Sequence, residues 1–249
     1  MTVTHDDLTV EWLGYATLRV VDADEDTVVY FDPGRYGVFT GEWTPDTPGV
    51  SHPPARDYRP EDADVVCVTH DHHYDPDGIR RVAGGDATLV VFDGVNTHRI
   101  ERVDDRPVDL DVDVRWVDAE ADFAIGDAIL RTIPAYNTPD GHTRPDGDPY
   151  HPEGRGCGFL LTLDGTTVCW PGDTDVLDGH AMLDVDVLCP PIGGSFTMDR
   201  HEAADLAADM NPEVVVPIHY NTFGALETDS TAFVDDLESR GVEVVLDES

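Results

Sequence analysis

Residues 65–75 read Val-Val-Cys-Val-Thr-His-Asp-His-His-Tyr-Asp, a β-branched apolar run that stops abruptly at three histidines and two aspartates. The run is short and bounded by polar residues, so it predicts a buried strand. Such a strand carries His70 and His72, at i and i+2, to its own end. From that stiff edge both imidazoles can point at one ion, and neutral imidazole suits Zn, Mn or Fe when carboxylates complete the shell. Two histidines are weak evidence, but three later strand ends repeat the pattern. Residues 167–171 run into Gly172-Asp173-Thr174-Asp175, residues 214–218 run into His219, and a loop carrying His151 leads into the apolar residues 157–161. In an α/β protein the ends of several core strands gather along one edge, so groups far apart in sequence can converge there.

The order His70, His72, His151, Asp173, His219 resembles the metallo-β-lactamase fold hydrolases, and within them the small metal-dependent hydrolases that include L-ascorbate-6-phosphate lactonase. The strings Pro134-Ala135-Tyr136-Asn137, His151-Pro152, Gly172-Asp173-Thr174-Asp175, residues 193–199 and Pro217-Ile218-His219-Tyr220-Asn221 carry the match across most of the chain. The resemblance implies a four-layer αβ/βα sandwich. It also implies a metal held by His70, His72 and His151, with Asp173 and His219 completing a second position or a wider shell. One departure stands out. Where the family pattern ends His-x-His-x-Asp-His, this chain has Tyr74 and Asp75. Asp75 is one candidate to supply the missing ligand and, as an oxygen donor, would shift preference toward Mn or Fe; His73 is the competing candidate.

A chain of 249 residues suffices for one sizeable core, and a single domain over 1–249 is expected. All fifteen basic residues are Arg, against 52 acids spread along the chain, giving a net charge of −37. So acidic a surface stays soluble where salt screens its self-repulsion, since the Debye length falls to about 3 Å at 1 M. A salt-adapted cytoplasm is the expected setting. The charge speaks against nucleic acid or an anionic membrane as partner, and neither a membrane-spanning run nor a basic, apolar leader is present at the start of this sequence. Cys67, Cys157, Cys169 and Cys189 lie in apolar contexts without Cys-x-x-Cys spacing, which predicts buried free thiols.

Strands are expected over 8–13, 17–21, 27–31, 65–68, 88–92, 112–117, 123–133, 157–161, 166–171, 185–189, 214–218 and 242–246. Helices are expected over 76–83, 96–102, 199–210 and 231–240. Asp199 with Glu202 reads as a capping box. Asp32, after the third strand, is either a turn former or a support for the site. Residues 35–60 read as a long loop whose Tyr36, Phe39 and Trp43 line the cleft or tuck beneath the loop, with His52 at the surface. His142 rivals His151, Asp175 and Thr174 read as supports, and Arg144 and Arg155 are candidates for an anionic substrate group.

The expected function is metal-dependent hydrolysis of an ester, lactone or phosphodiester in a small-molecule substrate, with one or two divalent ions, Zn or Mn with Fe as an option. Asp173 or Asp75 would handle the proton, and Tyr220 or Tyr74 would donate to the developing oxyanion. Two alternatives come with it: a mononuclear non-haem iron oxidoreductase, and a non-catalytic metal- or ligand-binding protein. Self-association into a homo-oligomer is a further expectation.

Overall fold

Short β-branched runs broken by Gly, Asp and Pro become strands, and they group into two similar halves. The computed structural model describes residues 3–35, 37, 39–42, 58–100 and 103–248, so Tyr36, Trp43 and His52 lie outside the described residues. The first half contains β1 (Val3–His5), β2 (Leu8–Trp12), β3 (Leu18–Asp22), β4 (Val28–Phe31), β5 (Ala63–Val68), α1 (Pro76–Val82), β6 (Ala83–Phe92) and β7 (Asp113–Val117). Its seven strands lie side by side in chain order. They pair antiparallel from β1 to β4 and parallel from β4 to β7.

The second half repeats this plan with β8 (Asp122–Ile125), β9 (Ala128–Pro134), β10 (Cys157–Leu163), β11 (Thr166–Trp170), β12 (Val187–Leu188), α2 (Arg200–Met210), β13 (Val214–Val215), α3 (Ser230–Ser239) and β14 (Glu243–Val244). Antiparallel pairing runs from β8 to β11 and parallel pairing from β11 to β14. The parallel parts of both sheets end at the same edge, which is what brings the histidine-bearing strand ends together.

Every residue of β3 and β4 is buried, whereas β9 alternates between buried Leu130 and exposed Ile129 and Arg131. One apolar cluster draws on both sheets. Phe31 and Phe159 meet across it at 5.8 Å between ring centroids, and the Trp170 indole N–H donates to Asp32 Oδ2 at 2.8 Å. With helices outside the paired sheets, this is the αβ/βα sandwich expected from the sequence.

Several local readings change. Residues 97–99 form one 3-10 turn instead of a longer helix, capped by Asn96 Oδ1 accepting from His98 N. The run 123–133 folds back on itself around Gly126, which takes φ +57°. The strands after 185 and 214 are only two residues long because Pro190, Pro191 and Pro217 lack N–H donors. Their ladder continues irregularly, with Val216 N donating to Leu188 O and Ile218 N to Pro190 O. The α2 capping box forms as the sequence predicts, with Asp199 Oδ1 accepting from Glu202 N and Glu202 Oε2 accepting from Asp199 N, and all four cysteines are buried and free.

Arg19 is the one arginine of a β3 that is otherwise almost wholly apolar, and its side chain is only 1 % exposed. Its guanidinium contacts Glu11 Oε2 at 2.7 Å and Asp62 Oδ2 at 2.7 Å, and Tyr30 OH donates to the same Asp62 oxygen at 3.0 Å. Removing the cation takes the guanidinium from Asp62 and leaves Glu11 only Arg59, at 3.3 Å, with both carboxylates largely buried. Arg19→Met is therefore expected to lower unfolding free energy by about 3 kcal/mol, read from the urea midpoint in constant molar salt. A change within about 0.5 kcal/mol would show that the acids relax into solvent.

Candidate metal centre

The site is built where β4, β5, β11 and β13 end. Asp32 follows β4 and is wholly buried. Its carboxylate accepts from Thr69 N and Thr69 Oγ1, both at 2.8 Å, and from the Trp170 indole. It also lies 3.0 Å from His73 Nδ1. That contact makes Nδ1 the protonated nitrogen and turns Nε2 toward the cluster. After β5, the 3-10 turn Asp71–His73 sends His73 inward and leaves His72 exposed on the cavity wall.

Gly172, at φ +76°, lets the chain turn after β11 where a Cβ would press on the Cys157 carbonyl oxygen, and so delivers Asp173. His219 adopts φ +57°, a conformation that costs a non-glycine residue about 1–3 kcal/mol. Its amide donates to Tyr15 O at 2.9 Å, and its ring packs 4.8 Å from the Tyr15 ring. His151 is fixed twice: its amide donates to Asn137 Oδ1 at 2.7 Å, and its Nδ1 lies 3.2 Å from Phe196 O. A carbonyl only accepts, so Nδ1 carries the proton and Nε2 is the free lone pair.

Asp173 sits at the centre. Its Oδ2 is 3.3 Å from His151 Nε2 and 3.6 Å from both His70 Nε2 and His73 Nε2, while Oδ1 is 3.5 Å from His219 Nε2. His72 Nδ1 lies 3.2 Å from His151 Nε2. Two sets of donors close enough to share an ion result, His70 with His72 and His151, and His70 with His73 and Asp173. Within them His70 Nε2, His73 Nε2 and Asp173 Oδ1 are buried without a hydrogen-bond partner, as are both ring nitrogens of the neighbouring His219. Buried polar atoms are seldom left so. Converging lone pairs on nitrogen and carboxylate oxygen fit a divalent cation.

The electrostatics agree. Burial holds His70 well below its ordinary range and His219 down to about 4, so both stay neutral donors at physiological pH. Burial alone would raise the Asp173 carboxyl, but His219, His73 and His151 hold it well below the usual carboxylate range. Burial likewise opposes charge on His73, yet Asp173 and Asp32 outweigh it and raise this imidazole. The second His73 proton, on Nε2, is thus what a cation entering beside Asp173 would displace, while Asp32 keeps the one on Nδ1. Above the cluster opens a cavity of about 480 Å³, lined by His70, His72, His151 and Asp173 and rimmed by arginines.

Residues 9–219 match the family model described as beta-lactamase superfamily domain. The chain belongs to the beta-lactamase superfamily. Within the superfamily it is 31% identical over 196 residues to a UPF0173 metal-dependent hydrolase of Thermococcus kodakarensis, covering 75% of this chain and 80% of that one. Among solved structures, one from Parabacteroides distasonis superposes with a TM-score of 0.72 at 24% identity, covering 99% of this chain and 96% of the other. Igni18, a metallo hydrolase from Ignicoccus hospitalis, gives 0.65 at 21% identity over 96% and 94% of the two chains.

In this member of the superfamily, the structure brings together His70, His72, His151, Asp173 and His219, and adds His73. It does not bring Asp75 to them. Asp75 Oδ1 caps α1 by accepting from Asp77 N at 3.0 Å, because Pro76 starts the helix one residue on. Tyr220 also lies elsewhere, stacked 4.6 Å from Trp12 with its OH donating to Glu248. Tyr74 OH donates to Asp105 O. His142 pairs at 2.6 Å with Asp175, which also binds Asn137 Nδ2 at 3.0 Å and so braces the loop that holds His151. Tyr15, against His219 and His73, gave no sequence signal beyond following Gly14.

Asp75 makes a separate prediction. Its Oδ2 is buried without a partner, and burial pushes its carboxyl up to about 6. A raised carboxyl keeps its proton longer in the folded state than in the unfolded one. Its contribution is therefore fully present below the unfolded value near 3.8 and is lost as pH rises through about 6. Asp75→Asn keeps the cap acceptor and removes this loss, so its melting temperature should exceed that of the parent above pH 6 with unchanged metal content. A loss of bound metal would return Asp75 to the ligand set.

Proposed function

We propose that this chain is a hydrolase in which divalent ions activate water for attack on an ester-type bond, with lactones and phosphodiesters as the first substrates to test. The observation that carries this reading is the convergence of unpartnered, buried atoms of His70, His73, His219 and Asp173, two of which, His70 and Asp173, line an open cavity. His70, His72 and His151 would hold one ion, and His73, Asp173 and His219 a second. When bound, such an ion lowers the pKa of a water toward neutrality and polarises the oxygen under attack.

The chain's own groups supply the rest. Asp32 and the Phe196 carbonyl lock the tautomers of His73 and His151, so the donor atoms are aimed before substrate arrives. Asp173, kept ionised by the histidines around it, can accept a hydrogen bond from the attacking water and orient it. Tyr15 and Trp170 flank His73 and shut bulk water out from behind it. Lactones rank first because the five sequence strings resemble the branch that includes L-ascorbate-6-phosphate lactonase; a salt-adapted cytoplasm belongs to the same proposal. Protein loaded with Zn or Mn in molar salt should open lactones or cleave a phosphodiester, lose that activity with chelator and regain it on reloading. Turnover indifferent to chelator would refute the reading.

A further inference from the structure

Arginine is the only permanent cation this chain has, and among the described residues at least seven of thirteen guanidiniums pair with a carboxylate, while Arg81 and Arg115 donate to backbone carbonyls. Arg80 pairs with Asp105, Arg106 with Asp109, Arg131 with Asp122, and Arg240 with Asp205 and Asp236. On the rim of the metal cavity, Arg99 does the same with Asp71 at 2.6 Å. Arg144 and Arg155, which line the same cavity, do not: among the described residues neither guanidinium has a carboxylate within ion-pair distance.

Both are nonetheless anchored to the metal centre. Arg155 stands directly before Gly156, which bridges to His70 in antiparallel fashion, and its amide donates to Pro152 O at 3.2 Å. Arg144 lies 5.7 Å over the Tyr150 ring, and Tyr150 packs at 4.9 Å against Phe196, whose carbonyl holds His151. The two cations are therefore placed relative to the donor cluster, even though their tips are exposed. The cavity lining holds three guanidiniums against two carboxylates, Asp71 and Asp173, on a molecule whose net charge is −37. A locally positive, concave patch on such a chain attracts an anion that the rest of the surface repels.

We propose that Arg144 and Arg155 bind a carboxylate or phosphate that the substrate carries apart from the bond being cleaved. This rests on the hydrolase reading above. Guanidinium forks bind either oxyanion in bidentate, charge-assisted fashion, so these two residues set which esters are used.

The test compares a neutral nitrophenyl alkanoate with esters of equal length ending in a carboxylate or in a phosphate. The parent should favour one of the charged esters by about tenfold or more in kcat/KM. In the Arg144→Met, Arg155→Met double variant that preference should collapse to about twofold or less, chiefly through KM. Which charged ester is favoured separates the two anion sources. A parent without preference, or a preference that survives in the double variant, overturns the proposal. Calorimetric binding of succinate and inorganic phosphate to the metal-loaded protein is the second readout. If no ester, lactone or phosphodiester is cleaved, the hydrolase reading fails by itself. The anion site then stands if affinity falls about tenfold in the double variant and falls with it if affinity is unchanged.

Discussion

Asp173→Ala lowers kcat/KM on any ester that the parent cleaves by on the order of 10³-fold or more, with the fold retained. Among the described residues no other side chain lies within 3.6 Å of four histidine nitrogens, so no other single change there removes as much. The loss acts twice. It takes away the carboxylate that both donor sets converge on, and it takes away the first of the charges that raise His73. Far-UV circular dichroism and the melting temperature of the chelated protein should accompany the kinetics, because a variant that merely unfolds loses activity for an uninformative reason. Activity within tenfold of the parent, in folded protein, would remove Asp173 from the chemistry.

His73→Ala makes the second large prediction, and it separates the two readings that the sequence left open. With His73 gone, the second position, His73 with Asp173 and His219, loses one of its three donors, while the set formed by His70, His72 and His151 is intact. Metal content should fall from two ions per chain to one, and kcat should drop by about 10- to 100-fold. Asp32→Asn should weaken the same position more mildly, because it loosens the His73 ring without removing its nitrogen. Unchanged stoichiometry in His73→Ala would leave that imidazole as a buried partner of Asp32 and nothing more.

Much of this site was legible in the chain because strand ends are readable. A β-branched run that stops at His70, another at Gly172-Asp173 and a third at His219 announce convergence once an α/β sheet is assumed. The His73 role was less accessible, because a 3-10 turn, unlike a strand, has no sequence period that tells which of two adjacent histidines faces inward. Asp75 misled for a related reason: aspartate followed by proline is a helix start before it is a ligand, and the cap won. Tyr220 was placed by the sheet edge correctly and by its side chain wrongly, since Trp12 and Glu248 claim it from parts of the chain far away in sequence. The unpaired state of Arg144 and Arg155 depends on where the 52 acids point, which no local pattern encodes.

The most direct test is elemental analysis of protein purified in molar salt without chelator, with anomalous scattering to place any ion found. Two divalent ions per chain, one against His70, His72 and His151 and one against His73, Asp173 and His219, are the predicted result. A chain that binds no ion after loading with Zn, Mn or Fe would contradict it.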